Sequence, residues 1–186
     1  MKEKNNSNTI TQDNNTYYNS IAKGYDELHG VEQLEKLELI GKELHSNPKL
    51  KEFIMPNYKL LDVGCGSGIS TAFFKVKEKF GIDPSSELIK IAINNYPTIK
   101  FLVEPAEKIS FKNNQFDVVI SLTAIQNFND LNKGLEEIKR TSKKYFILTF
   151  LKKSSKHETI DTAIRLKFEV IKVIEEKKDK IYFCVK

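Results

Sequence analysis

The run Leu60-Leu61-Asp62-Val63-Gly64-Cys65-Gly66-Ser67-Gly68-Ile69-Ser70 decides the fold. An apolar strand carrying Leu60, Leu61 and Val63 runs into three alternating glycines, and a helical stretch over 68–75 follows. Glycines at a strand-to-helix turn let a ligand approach the backbone closely, and the helix start offers unpaired N–H groups. Spacing narrows the choice of ligand. A dinucleotide fingerprint, G-x-G-x-x-G, would need its third glycine where Ile69 stands. A phosphate-binding P-loop would need a lysine after its last glycine, and this loop has none. What stands here is D-x-G-x-G-x-G, with Asp62 two residues ahead of Gly64.

Outward from the loop, short apolar runs alternate with amphipathic segments. The pattern predicts strands at 59–63, 79–83, 99–103, 116–121 and 145–150, with helices at 68–75, 85–95 and 130–142 between them. Ser85 and Ser86 followed by Glu87 supply capping and first-turn acid signals. Strands and helices alternating at this size imply parallel β-α-β units with right-handed crossovers. After a helix at 159–167, the tail reads as strands 168–174 and 180–185 about a charged turn, an antiparallel hairpin closing one edge. Ahead of the core, Tyr18, Ile21, Ala22, Tyr25 and Leu28 fall at helical spacing, and Val31, Leu34, Leu37, Ile40 and Leu44 form a second apolar face ending near Asn47 and Pro48. Residues 1–15 read as a flexible polar leader and 16–186 as one domain, with N-terminal helices over 16–57 and an α/β core over 58–186.

Composition sets the outer bounds. The 186 residues are 40% hydrophobic and 30% charged, which suits one globular domain. No apolar run approaches a membrane span, the N-terminus has no apolar signal core, and the expectation is a cytoplasmic protein with no membrane partner. Cys65 and Cys184 are too few for a disulfide framework, and no spacing suggests a metal site. The net charge is +5, nearly all from lysine, since Arg140 and Arg165 are the only arginines. That charge is either a solvated lysine-rich surface or a polyanion-binding face. The scarcity of arginine weighs against the second, because arginine is the usual bidentate reader of phosphate and guanine.

The loop resembles motif I of the class I S-adenosylmethionine-dependent methyltransferases. Three further segments fall where that resemblance places them. Strand two ends Phe80-Gly81-Ile82-Asp83-Pro84; in the family such an acid accepts both ribose hydroxyls of the cofactor, and the proline packs beside adenine. The stretch Glu104-Pro105-Ala106-Glu107 through Phe116-Asp117 resembles the family's adenine-side segment, with Pro105 and Ser110 departing from it. Ser121 to Asp130 follows strand four, where the family lines its methyl-transfer site. The resemblance implies a doubly wound, Rossmann-like, mostly parallel seven-stranded sheet of order 3-2-1-4-5-7-6 and S-adenosylmethionine as cofactor. It implies cofactor contacts at Tyr18, Asp62, Gly64, Cys65, Gly66, Gly68, Asp83, Pro84, Ala106, Glu107 and Ser121. Adenine would be held by the backbone at Ala106, with Glu104 or Glu107 as side-chain partner. Gln126, Asn127 and Tyr25 would position the methyl acceptor. An Ala22-x-x-Tyr25-Asp26 pattern similar to quinone-type members suggests that the N-terminal helix forms a lid, with His29 one turn on as a candidate base. The stretch Ser121–Phe128 is similar to the ribosomal RNA guanine-N7 members. Gln126 and Asn127 cannot act as general bases, which suits a ring nitrogen better than a phenol. The acceptor expected from the sequence is therefore an RNA base nitrogen, with a small molecule as the alternative and a non-catalytic cofactor-binding partner protein as a third reading. A small activator protein is a further implied partner.

Overall fold

The computed structural model describes residues 25–186 of the protein. Tyr18, Ile21, Ala22 and the polar leader lie outside the described residues, as do the side chains of Tyr25, Asp26 and His29. The chain runs α1 (Tyr25–Ser46), β1 (Lys59–Val63), α2 (Ile69–Phe73), β2 (Glu78–Asp83), α3 (Ser86–Asn95), β3 (Lys100–Val103), β4 (Phe116–Leu122), α4 (Leu131–Thr141), β5 (Ser142–Leu151), α5 (His157–Lys167), β6 (Glu169–Glu175) and β7 (Asp179–Val185). From Tyr25 onward the end of the first N-terminal helical pattern and the whole of the second share one helix: α1 passes through Gly30 without a break.

The strands form one sheet in the order β3-β2-β1-β4-β5-β7-β6. β1 to β5 are parallel, while β7 lies antiparallel to both β5 and β6. Alternation along the central strands sends side chains into two separate cores. Leu61, Val63 and Val119 point to the face covered by Leu135 and Ile138 of α4 and Ile160 and Ile164 of α5. Leu60, Val118 and Ile120 point to the other, where Leu37 and Ile40 of α1 pack with Phe53 and Phe183. Both faces of the parallel strands are therefore covered, as such sheets require. The sequence caps its helices as its pattern suggests: Ser85 Oγ accepts from Leu88 N at 3.2 Å, and Asp130 Oδ1 from Lys133 N at 3.0 Å.

One expectation for α1 is corrected. Leu37 and Ile40 are buried, but Val31 and Leu34 are 71% and 47% exposed. Gly30 and Lys36 are turned inward, and Leu44 is half-buried. The N-terminal half of this helix borders a cavity and not the sheet, so its inward face is small and polar there.

Strand order reverses between β1 and β4, and open α/β sheets place ligands in the crevice beyond the C-terminal strand ends at such a point. The loop after β1, Asp83 at the end of β2, and the chain after β4 all meet there. Since β7 runs the opposite way, its first residue, Asp179, reaches the same edge.

Candidate active site

The glycine loop is anchored to the neighbouring strand. Gly64 N and Cys65 N both donate to Ile82 O, at 2.8 and 3.0 Å, and Gly66 N donates to Asp83 Oδ2 at 3.0 Å. Gly64 has φ of 78°, and a Cβ there would collide with Ala124 Cβ; only glycine lets the loop and the post-β4 chain approach this closely. Gly68 has φ of 90°, and a Cβ would lie 2.8 Å from the Phe101 ring. The Cys65 thiol is buried, and burial first, then the charges of Asp83 and Asp62, pushes its pKa well above the ordinary range. It contributes backbone and bulk, since a thiol that stays protonated is a poor nucleophile.

Two buried carboxylates flank the loop and do different things. Asp83 is 9% exposed and lines the cavity. Its Oδ1 accepts from Ser85 N at 2.9 Å and its Oδ2 from Gly66 N at 3.0 Å, so backbone donors fix both oxygens. Burial raises its pKa, and those two N–H groups oppose the rise. Asp62 is fully buried behind the loop, away from the cavity lining. Its Oδ2 accepts from Ser70 Oγ at 2.6 Å and Thr71 Oγ1 at 2.8 Å, tying β1 to the first turn of α2. Burial pushes Asp62 up to about 6 despite those hydroxyls, with the nearby Asp83 charge adding to the rise.

A cavity of about 260 Å³ opens beside the loop. Its one side is formed by Gly64, Cys65, Asp83, Pro84, Leu88 and Ala106, and its other by Leu122, Thr123, Ala124, Gln126, Asn127 and Leu151. Glu107 also borders it, but Glu107 Oε1 accepts from Asn129 N at 2.6 Å and Asp130 N at 3.2 Å, which fastens the chain leading into α4. Glu104 Oε2 likewise takes Ser110 N at 3.0 Å. Arg140 locks the same segment from behind, donating to Ile109 O and Phe111 O at 2.8 Å each. Ser121 is buried within the sheet, its Oγ donating to Val63 O at 2.8 Å, and it does not reach the cavity lining. Gly66 and Gly68 also stand outside that lining; they shape the loop.

Beyond β4 the chain turns sharply. Thr123 has φ of 59°, a left-handed conformation that β-branched residues rarely adopt and that costs on the order of 1–3 kcal/mol. Hydrogen bonds over-determine it. Thr123 N donates to Thr149 Oγ1 at 2.7 Å, Thr123 Oγ1 donates to Asp179 Oδ1 at 3.0 Å and accepts from Lys36 Nζ, and Thr123 O accepts from Gln126 Nε2 at 2.6 Å. Lys36 Nζ also pairs with Asp179 Oδ2 at 3.0 Å, the two side chains being 3% and 0% exposed. Burial raises the Asp179 pKa, and the adjacent Lys36 ammonium opposes the rise. This knot holds α1 onto the wall and aims Gln126 and Asn127 at the cavity. Sequence reading missed Lys36, Thr123 and Asp179. The available signal was Lys36 itself, a lysine one turn before Ile40 on the inward side of a helix. His157 is exposed, with Nδ1 2.9 Å from Ser154 O, and has no place in the site. Among the described residues no helix is long and apolar enough to cross a membrane.

Residues 61–148 match the methyltransferase-domain family model. An uncharacterized protein of Methanocaldococcus jannaschii is 33% identical over 138 residues, covering 72% of this chain and 49% of that one. Demethylmenaquinone methyltransferase of Chlorobaculum tepidum is 38% identical over 88 residues, covering 46% of this chain and 36% of that one. The chain thus spans half or less of the length of these relatives. The structure of magnesium protoporphyrin IX methyltransferase from Synechocystis superposes with a TM-score of 0.77 at 16% identity, covering 98% of this chain and 100% of that one, and shows the same fold. Sheet order, glycine loop and the match over residues 61–148 together identify a methyltransferase domain with the Rossmann-like fold of the class I S-adenosylmethionine-dependent enzymes. S-adenosylmethionine is the cofactor of that class.

Proposed function

We propose that this protein transfers a methyl group from S-adenosylmethionine to a small-molecule acceptor. One observation carries the reading: a single cavity is bordered by the backbone-fixed Asp83 carboxylate on one side and by Gln126 and Asn127 on the other. The residues fit the cofactor. Each Asp83 oxygen holds one backbone donor and keeps a lone pair for a ribose hydroxyl. The Gly64 approach would admit a ligand against the loop backbone, and Pro84 and Ala106 supply an apolar border for adenine. When bound, the cofactor supplies a methyl group already activated on a sulfonium. The protein's own task is then alignment and exclusion of water. Gln126, held by Thr123 O, and Asn127 orient the acceptor, with Tyr25 at the start of α1 as a third candidate.

The acceptor reading departs from the sequence-based lean towards an RNA base. Part of the lysine charge is matched on the surface: Lys59, Lys90, Lys143, Lys167 and Lys172 each sit within 3.0 Å of a carboxylate oxygen. By their names, the relative acts on demethylmenaquinone and the structural neighbour on magnesium protoporphyrin IX, both small molecules. Neither an RNA base nor a small activator protein is needed by this reading. The test is methyl transfer from radiolabelled S-adenosylmethionine to a small-metabolite extract and, separately, to total RNA. Label in the small-molecule fraction alone supports the reading, and label in RNA alone overturns it.

A further inference from the structure

The loop between β5 and α5 and the turn between β6 and β7 abut, with Lys152 N donating to Lys178 O at 2.8 Å. This contact brings together two lysine-bearing stretches, one with Lys152, Lys153 and Lys156 and the other with Lys177 and Lys178. Lys153 and Lys178 border the cavity itself, and Lys156 Nζ reaches Gln126 O at 3.4 Å. Fewer carboxylates than lysines share this rim, and each is already bound. Glu176 Oε2 accepts from Lys178 N at 2.9 Å, Glu175 faces Lys180 at 3.5 Å, and Asp179 belongs to Lys36. Of the rim, only Lys178 has a carboxylate partner among the described residues, Glu32 at 2.7 Å. Among the described residues, Lys152, Lys153, Lys156 and Lys177 face no carboxylate within 4.0 Å. The same wall carries an apolar portion, Leu122, Ala124, Phe128 and Leu151, beside the polar Gln126 and Asn127.

Like charges set this close repel one another, and a cleft with low-dielectric walls concentrates their field on whatever enters. A neutral acceptor would gain nothing from that field. From these two features we infer that the acceptor half of the cavity takes a small molecule with an apolar, ring-sized body and an anionic oxygen group, carboxylate or phosphate, held at the lysine rim. Lysine suits such a group as a flexible point charge, without the fixed two-pronged geometry of arginine. The inference rests on the reading of this cavity as the methyl-transfer site.

Calorimetry on the full chain saturated with S-adenosylhomocysteine tests it, using 4-hydroxybenzoate, phenyl phosphate and the neutral analogue 4-hydroxybenzamide as probes. At low salt, at least one anionic probe binds about tenfold or more tightly than the amide, a preference that shrinks as salt screens the rim. Which anion wins tells carboxylate from phosphate. In Lys153→Gln/Lys156→Gln the ratio falls towards one, and retained binding of S-adenosylhomocysteine reports that this variant is folded. Equal affinities, no binding of any probe, or a ratio unmoved by the lysine changes overturns the inference. So does a single-stranded RNA oligonucleotide that displaces 4-hydroxybenzoate with a steep salt dependence. Failure of the wild-type chain to bind S-adenosylhomocysteine would instead sink the methyltransferase reading beneath it.

Discussion

On the cofactor side of the cavity, the polar contacts join residues close along the chain: Gly66 to Asp83 across 17 positions, and Ser70 and Thr71 to Asp62 across 8 and 9. On the acceptor side they join distant ones, Thr123 to Lys36 across 87 positions, to Asp179 across 56 and to Thr149 across 26. The first set is complete once two adjacent β-α units have formed. The second needs the helix from before the sheet and the last strand after it to be docked together. The acceptor wall thus depends on the docking of more of the chain than the cofactor loop does.

The largest effect expected from breaking this contrast is at Lys36. Lys36→Met leaves the Asp179 carboxylate buried beside an apolar chain, and losing one partner of a buried pair costs about 3–5 kcal/mol. Urea unfolding should show that loss, and Lys36→Met/Asp179→Leu should recover most of it. A single variant as stable as wild type would mean that the pair does not hold the wall.

Asp62 comes next. Its folded pKa of about 6 lies above the ordinary 3.8, so the folded state holds this proton more tightly than the unfolded chain does. The resulting stabilisation is present in full below pH 4 and disappears as the pH rises to 6. Relative to Asp62→Asn, wild type should lose on the order of 3 kcal/mol across that window and show no further relative change up to pH 8. A constant difference between the two proteins from pH 3 to 8 would remove the burial argument.

How much of this was legible follows from the same contrast. The glycine loop, Asp83 and the seven strands were readable because each signal is local: glycines at fixed offsets, an acid at a strand end, apolar runs of strand length. Roles that depend on partners far along the chain were not. Glu107 matched an adenine-side motif, yet its carboxylate is taken by Asn129 N and Asp130 N. Ser121 sits at a strand end, but alternation turns it into the sheet against Val63 O. Val31 and Leu34 fitted a helical apolar face, and nothing local says that this half of α1 overhangs a cavity. Lys36 and Asp179 carry no motif at all.

Gly64→Ala sharpens the boundary between the halves, because its methyl would strike Ala124 from the acceptor wall at a left-handed φ. A loss of about 1–3 kcal/mol in stability is expected, together with weaker binding of S-adenosylhomocysteine. The companion change Ala124→Gly should restore binding in part by clearing the collision; no recovery would show that strain at Gly64 alone matters. The smallest effect on the cofactor is expected from Gln126→Ala. Affinity for S-adenosylhomocysteine should stay within about 0.5 kcal/mol of wild type, the range of changes away from a ligand's contacts, while methyl transfer to the acceptor falls. The reverse pattern would move Gln126 to the cofactor side.

The central claim is that Asp83, fixed by Gly66 N and Ser85 N, holds the cofactor's ribose in the cavity beside the glycine loop. Calorimetric titration of wild type and Asp83→Ala with S-adenosylhomocysteine tests it directly. Wild type should bind, and the variant should lose about 1.5–3 kcal/mol, the scale of hydrogen bonds to a charged acceptor, with NAD and ATP failing to compete. Equal affinity in the two proteins, or displacement of the ligand by NAD or ATP, would contradict it.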